Sequence, residues 1–143
     1  MTRYLVVAHK TLVGPHLLDL VEEKVRSGPC DFHLVVPAVH PSGHPWTEGE
    51  ITATAEARLA EGLERFREIG ATVTGQAGDV NPVNAVEDAV RDNENAGRPP
   101  FDQVIVSTLP HGPSRWLRLD VVSRLRKQVR LPVVHVEAAV AEV

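Results

Sequence analysis

The chain has 143 residues, of which 43% are hydrophobic and 24% charged, and its formal net charge is −4. A chain of this length and composition can bury one sizeable core, so we expect residues 1–143 to form a single domain. The acidic balance argues against general binding to duplex DNA. The single cysteine, Cys30, excludes an intrachain disulfide and a cysteine-cluster metal site.

Membrane and export signals are not found in the sequence. No apolar run approaches the roughly 18 residues that a membrane span requires. The N-terminus has a short apolar stretch but no small-residue cleavage site. We therefore expect a cytoplasmic protein with no membrane partner.

Short valine-rich runs alternate with segments of helical periodicity. In chain order they predict a strand at 4–8 (YLVVA), a helix at 13–26, a strand at 32–39 (FHLVVPAV), a helix at 49–69, a strand at 71–75 (ATVTG), a helix that begins at Asn81–Pro82, a strand at 103–108 (QVIVST), a helix at 113–129 and a strand at 131–136 (LPVVHV). The run at 71–75 is the least bulky, so we place it at a sheet edge. Gly70 is expected to end the second helix, and 92–100 to form a polar surface loop.

This alternation predicts an α/β fold, a doubly wound parallel sheet with helices on both faces. Ligands bind such sheets beyond the carboxyl ends of the strands, where the strand order reverses. If the first strand is central and the fourth lies beside it, the loops 8–14 and 107–115 meet there, and 37–46 with Trp46 forms a third wall. The candidate residues for ligand or anion binding are His9, Lys10, Thr11, Pro37, Val39, Ser107, Thr108, His111, Gly112, Ser114 and Arg115.

The loop 107–115 has two interpretations. As an anion pocket, it would use exposed amides at a helix N-terminus, with Gly112 allowing close approach and Arg115 adding charge. As an ordinary helix start, its polar residues would satisfy local backbone groups. The phosphate-loop pattern and the dinucleotide-binding glycine fingerprint are both missing from the sequence, so the residues alone leave both interpretations open.

Three segments resemble the universal stress protein family. They are YLVVAHKTLVG (4–14), GDVNPVNAVEDAV (78–90) and the closing unit at 104–136, which contains His-Gly, then Ser-Arg, then Leu-Pro-Val-Val. The resemblance covers essentially the whole chain. It implies five parallel strands in the order 3-2-1-4-5 and a homodimer formed through the last strand, 131–136.

Many members of that family bind ATP through Gly-x2-Gly-x9-Gly-Ser/Thr. Alignment places this motif on Ser107, Pro110, Asp120 and Val121, with the spacing intact and every motif residue replaced. The aspartate usual at the end of the first strand falls on His9. A carboxylate at 120 would repel phosphate by up to ~4 kcal/mol at 4 Å in an effective dielectric of 20.

The resemblance therefore implies a non-catalytic, small-molecule-binding or regulatory stress-response module with an altered nucleotide site. A module of this kind requires no cofactor, and ATP or another adenine nucleotide is its candidate ligand. The alternative is a nucleotide-binding protein with weak hydrolase activity in the same crevice.

Other chemistries have less support. His40 and His44, with His33 upstream, lie in a stretch rich in proline and glycine without a third convincing ligand, so we expect no metal site. Ser107 or Ser114 beside His111, with Asp120 to orient the base, lacks the Gly-x-Ser-x-Gly pattern of a hydrolase.

Two further features favour a structural interpretation. Cys30 follows Gly-Pro without a basic neighbour and is expected to be structural. The last helix has a high density of cationic residues, which we interpret as a solvated face rather than a nucleic-acid surface. Its basic side chains, with the residue that follows, are Arg115, Arg118, Arg124, Arg126, Lys127 and Arg130.

Overall fold

The structure is a computed structural model that describes residues 1–9, 12, 14–38, 47–108 and 119–137, with the side chains of 119 and 120 left out. Five strands alternate with four helices in this part of the chain. They are β1 (Thr2–Val7), α1 (Pro15–Ser27), β2 (Cys30–Pro37), α2 (Glu48–Glu68), β3 (Thr72–Gly78), α3 (Pro82–Asn95), β4 (Gln103–Thr108), α4 (Leu119–Gln128) and β5 (Val133–Glu137).

The strands form one parallel sheet in the order β3-β2-β1-β4-β5. The predicted strand order is confirmed, including the placement of the third strand at an edge. β1 pairs with β2 on one side and with β4 on the other. The strand order therefore reverses at β1, which is the position where ligands bind in open α/β sheets.

Two buried clusters cover the two faces of the sheet because successive strand residues point to opposite sides. Leu5, Val7 and Val35 join α3 and α4 on one face. Val6, Leu34 and Val36 join α1 and α2 on the other. Strands covered on both faces are continuous apolar runs, which explains why these segments were recognisable in the sequence.

The helix ends follow the local sequence. At the start of α2, Thr47 Oγ1 accepts from the Glu50 amide at 3.1 Å while the Glu50 carboxylate accepts from the Thr47 amide at 3.2 Å. Asn81 caps α3 by accepting from the Val83 amide at 2.9 Å. Gly70 follows the end of α2 with φ of 87°, a left-handed conformation that favours glycine, as predicted.

One prediction was wrong. The polar stretch 92–100 was expected to be a loop, but α3 continues to Asn95. Asn93 is only 7% exposed, and its side chain accepts from Arg3 and donates to the Pro99 carbonyl. The predicted residues 113–118 of the last helix lie outside the described part of the chain. None of the helices in the described part of the chain combines the length and the hydropathy of a membrane span.

Candidate functional site

β1 and β4 are neighbouring parallel strands, so their carboxyl ends lie side by side at the same end of the sheet. The last paired residues of the two strands are Val7 and Val106, so His9 and Thr108 each follow that pair by two residues. Ser107 lies between Val106 and Thr108 on β4. We call the carboxyl ends of β1 and β4, with His9, Ser107 and Thr108, the β1–β4 crevice.

The polar residues at this edge are buried. His9 is 4% exposed, Ser107 is 0% exposed and Thr108 is 1% exposed. His9 and Ser107 each interact with a neighbouring group. The His9 carbonyl also accepts from the Leu12 amide at 3.4 Å, which turns the chain toward α1. Polar groups withdrawn from water in this way need hydrogen-bond partners inside the protein.

Thr108 has a partner that sequence reasoning did not find. Its Oγ1 lies 2.6 Å from Nε2 of His135 on β5. The β4–β5 register pairs Val106 with His135, and this places the ring beside Thr108 on the α3/α4 face. A histidine within the predicted last strand was visible, but only the register shows which residue it meets.

Most of the other predicted site residues lie outside the described part of the chain. These are Lys10, Thr11, Val39, His111, Gly112, Ser114 and Arg115. Pro37 is described: it is the last residue of β2, is buried and pairs with Gly78 of β3. Pro37 therefore lies at the same end of the sheet as His9, on the neighbouring strand β2.

Known structures share this architecture along nearly their whole length. A protein of the universal stress protein family from Burkholderia pseudomallei is 16% identical, with a TM-score of 0.65 over 96% of this chain and 96% of that chain. The universal stress protein from Archaeoglobus fulgidus in complex with dAMP is 17% identical, with a TM-score of 0.59 over 94% and 96%. A universal stress protein family protein from Arabidopsis thaliana with AMP bound is 14% identical, with a TM-score of 0.61 over 97% and 93%.

This chain has the universal stress protein fold. The predicted resemblance is thus confirmed in the three-dimensional structure, where the likeness extends from the first strand to the last. No protein-family model and no curated protein matches the sequence.

Two positions aligned with the ATP motif of universal stress proteins can be examined. Ser107, at the first glycine, is fully buried at the end of β4. Val121, at the terminal Ser/Thr, is 6% exposed and belongs to the core cluster under α3 and α4. A buried valine has no hydroxyl to offer a phosphate at this position.

His33 lies on the face of β2 that α3 covers, away from the β1–β4 crevice. Its Nδ1 lies 2.7 Å from Thr74 Oγ1 and its Nε2 lies 2.9 Å from Gln76 Oε1. Burial lowers the pKa of His33, and the cations Arg3 and Arg98 lower it further, against the opposing hydrogen bond to Gln76. Among the described residues, no group of three or more His, Cys, Asp or Glu side chains could hold a metal, while His40 and His44 lie outside them.

Cys30 begins β2 and its Sγ contacts the Lys24 carbonyl at 3.7 Å. Burial raises the pKa of this thiol, and the neighbouring Asp31 raises it further. A thiol that keeps its proton is a poor nucleophile, which agrees with the structural role expected for Cys30.

A polar cluster at the opposite end of the sheet was also missed. Arg3, 9% exposed, donates from Nε to Asp31 Oδ1 at 3.2 Å and from Nη1 to Asn93 Oδ1 at 3.0 Å and to the Pro99 carbonyl. Its guanidinium lies over the Phe101 ring, 4.7 Å from the centroid. The cluster ties β1 and β2 to the end of α3. Its cation is paired and its neighbours are satisfied, so it is structural.

Proposed function

We propose that this chain is a divergent universal stress protein that binds a small phosphate-bearing ligand in the β1–β4 crevice and does not turn it over. The observation that carries the proposal is the adjacency of β1 and β4. It brings His9, Ser107 and Thr108 to the edge where the strand order reverses. We further propose a regulatory role in a stress response, as the family resemblance implies.

An adenine nucleotide is the first ligand to test. Proteins with the same fold are known in complex with dAMP and with AMP. In the sequence, Lys10 and Arg115 lie in the two loops that leave the crevice, and both can neutralise a phosphate. The replaced motif argues for a ligand with fewer phosphates than ATP, because Val121 offers no hydroxyl and Asp120 adds negative charge at the start of α4.

Isothermal titration calorimetry of the purified protein tests this proposal. We expect binding of AMP, weaker binding of ATP–Mg²⁺, and at least about tenfold weaker AMP binding in Lys10→Gln and Arg115→Gln. Arg26→Gln is the matched control: this arginine lies in the last turn of α1 with its side chain 71% exposed, and its removal should leave affinity unchanged. Micromolar ATP–Mg²⁺ binding tighter than AMP binding would overturn the altered specificity, and failure to bind either nucleotide would overturn nucleotide binding.

The absence of turnover is tested separately. Incubation with ATP–Mg²⁺ should release no ADP or AMP above a protein-free control. Product that forms with the purified protein and disappears in His111→Ala would support the hydrolase alternative instead. Native mass spectrometry of the protein as purified would identify a retained ligand directly.

We also propose that the protein forms a homodimer through β5. This strand is at an edge of the sheet, pairs with β4 on one side, and leaves Val134 37% exposed. An edge strand with an exposed valine favours pairing with another chain. Light scattering should show a dimer that becomes monomeric in Val134→Lys. Val80→Lys, at a 56% exposed valine before α3, should leave the dimer intact; a monomeric wild-type protein would refute the proposal.

A further inference from the structure

A cavity of about 240 Å³ lies between the C-terminal half of α3 and the face of β2 and β3 that this helix covers, away from the β1–β4 crevice. His33 and Gln76 line its sheet side, and Asp92 and Arg98 line the side formed by the end of α3 and the turn that follows. The volume equals that of roughly eight water molecules in the liquid, so a small organic molecule of about eight non-hydrogen atoms fits inside.

The hydrogen bonds of His33 orient a donor group of Gln76 on the cavity wall. Burial lowers the pKa of His33, so its ring is neutral near pH 7 and carries hydrogen on one nitrogen. Gln76 Oε1, 2.9 Å from Nε2, can only accept, which places that hydrogen on Nε2 and leaves Nδ1 to accept from the Thr74 hydroxyl at 2.7 Å. The carboxamide of Gln76 is held by its oxygen, and its NH₂ group has no hydrogen-bond partner among the described residues. It is therefore a positioned donor.

The described lining of the cavity has one cation, Arg98, and one carboxylate, Asp92. Both residues are exposed at its rim, and neither side chain takes part in an ion pair within the described part of the chain. A simple anion in this cavity would be attracted by the guanidinium and repelled by the carboxylate. A ligand that carries both charges is attracted by both groups, so the charge pattern selects a zwitterion.

The remaining lining is apolar apart from Asn93, whose side chain is already bonded to Arg3. Ala89 and Phe101 belong to the buried core cluster, and Ala96 follows the last residue of α3. An aliphatic group against these three side chains is removed from water, and it leaves no donor or acceptor of theirs without a partner. The cavity thus fits a zwitterion with a short aliphatic side chain.

We propose that this cavity is a further ligand site, which binds a small aliphatic zwitterion of the α-amino-acid class. Arg98 and the Gln76 carboxamide bind the carboxylate of the ligand, and Asp92 binds its ammonium group. Ala96 and Phe101 contact its aliphatic side chain. The site shares no residue with the β1–β4 crevice, so it goes beyond the proposed function and is tested independently of it.

L-Valine is a suitable probe because its size matches the cavity, and two compounds of the same carbon skeleton separate its charges. Isovalerate lacks the ammonium group, and isobutylamine lacks the carboxylate. An NMR titration of the wild-type protein with L-valine should shift the backbone amide signals of Asp92 and Arg98 saturably and leave that of Val134 in β5 unmoved. Each of the two matched compounds should bind at least about threefold more weakly than L-valine, since each loses one ion pair at the rim.

Variants then assign the binding to this cavity. Arg98→Gln and Asp92→Asn should each weaken L-valine binding at least about threefold. Ala96→Leu fills the cavity from its exposed rim and should abolish binding, while its amide spectrum shows that the fold is intact. Arg26→Gln, the matched removal of an exposed arginine elsewhere, should bind as the wild type does.

Three results would overturn this inference. They are no saturable shift with L-valine, equal affinity for L-valine and either matched compound, and unchanged L-valine binding in the cavity variants. None of them bears on AMP binding in the β1–β4 crevice, and failure of AMP to bind would leave this site unaffected.

Discussion

Substitution of Gly62 by alanine tests how the helix α2 meets the loop that leaves β1. A Cβ at this position would lie 2.7 Å from Leu12 Cγ and 3.3 Å from Leu34 Cδ1. Leu12 is 2% exposed and Leu34 is 0% exposed, so neither can move into solvent. Overpacking of a tight core costs about 1–3 kcal/mol. The helix propensity of alanine over glycine returns about 1 kcal/mol. We expect Gly62→Ala to lose about 1 kcal/mol net.

Gly49→Ala is the matched control because it lies in the first turn of the same helix. Its nearest heavy atom would be Thr47 Oγ1 at 3.9 Å, an ordinary contact. It should therefore be neutral or up to about 1 kcal/mol more stable than wild type. Equilibrium urea unfolding measures both free energies of unfolding, and an unchanged m-value shows that the states compared are the same.

The double variant Leu12→Ala/Gly62→Ala identifies the contact responsible. Leu12→Ala alone leaves a cavity and should cost about 2–5 kcal/mol. The new Cβ fills part of that cavity. The loss in the double variant should therefore be smaller than the two single losses added together, by about 0.5–3 kcal/mol. If Gly62→Ala stabilises the protein as much as Gly49→Ala does, or if the two substitutions are additive, the assigned contact is wrong.

Three other predictions concern stability, each measured by urea unfolding. The folded pKa of His33 is lowered, so the contribution of this side chain to the free energy of unfolding is complete above about pH 6.5 and is lost as the pH falls through the folded pKa. His33→Gln should therefore flatten the decline of stability at acid pH, and an unchanged decline would contradict this account. Arg3→Met should cost about 3–5 kcal/mol because it leaves Asp31 without its partner, whereas the exposed Arg26→Ala should stay within about 1 kcal/mol of wild type; equal losses would contradict this account. Asn81→Ala removes the cap of α3 and should cost about 1 kcal/mol, with Asn81→Ser restoring most of it; no loss would show that the cap is dispensable.

The architecture could be predicted because its determinants are local and repeated. Runs such as 4–8 and 103–108 have the continuous apolar character of strands covered on both faces. For most strand ends, the observed bound differs from the predicted one by one to three residues. β1, for example, begins at Thr2, because backbone pairing with β2 continues past the apolar run.

The Arg3 cluster shows what a local pattern does not reveal. Arginine at the start of a strand indicates a surface position, yet this one is buried. Its partners Asp31, Asn93 and Pro99 are 28, 90 and 96 residues away in sequence. The same long-range pairing explains why the sequence predicts a loop at 92–100. A polar helix end whose side chains bond to the protein interior has the same composition as a polar loop on the surface.

For the candidate site, the strand exits were predictable and their cross-strand partners were not. The predicted adjacency of the first and fourth strands places His9, Ser107 and Thr108 at the same end of the sheet, while their role in ligand binding stays a prediction. His135 was not included because its contact with Thr108 depends on the β4–β5 register. The ligand roles of Lys10 and Arg115 stay predictions, to be tested by the substitutions proposed above.

The burial of Val121 has a consequence for how the altered site can change. Serine at 121 would place a hydroxyl in the core cluster that α3 and α4 cover, at a cost of about 1–3 kcal/mol unless new hydrogen bonds form. A chain of marginal stability tolerates such a step only with a compensating substitution nearby. A hydroxyl-bearing side chain at 121, where the resemblance places the Ser/Thr of the ATP motif, therefore requires repacking of the domain interior and is not readily reached by a single mutation.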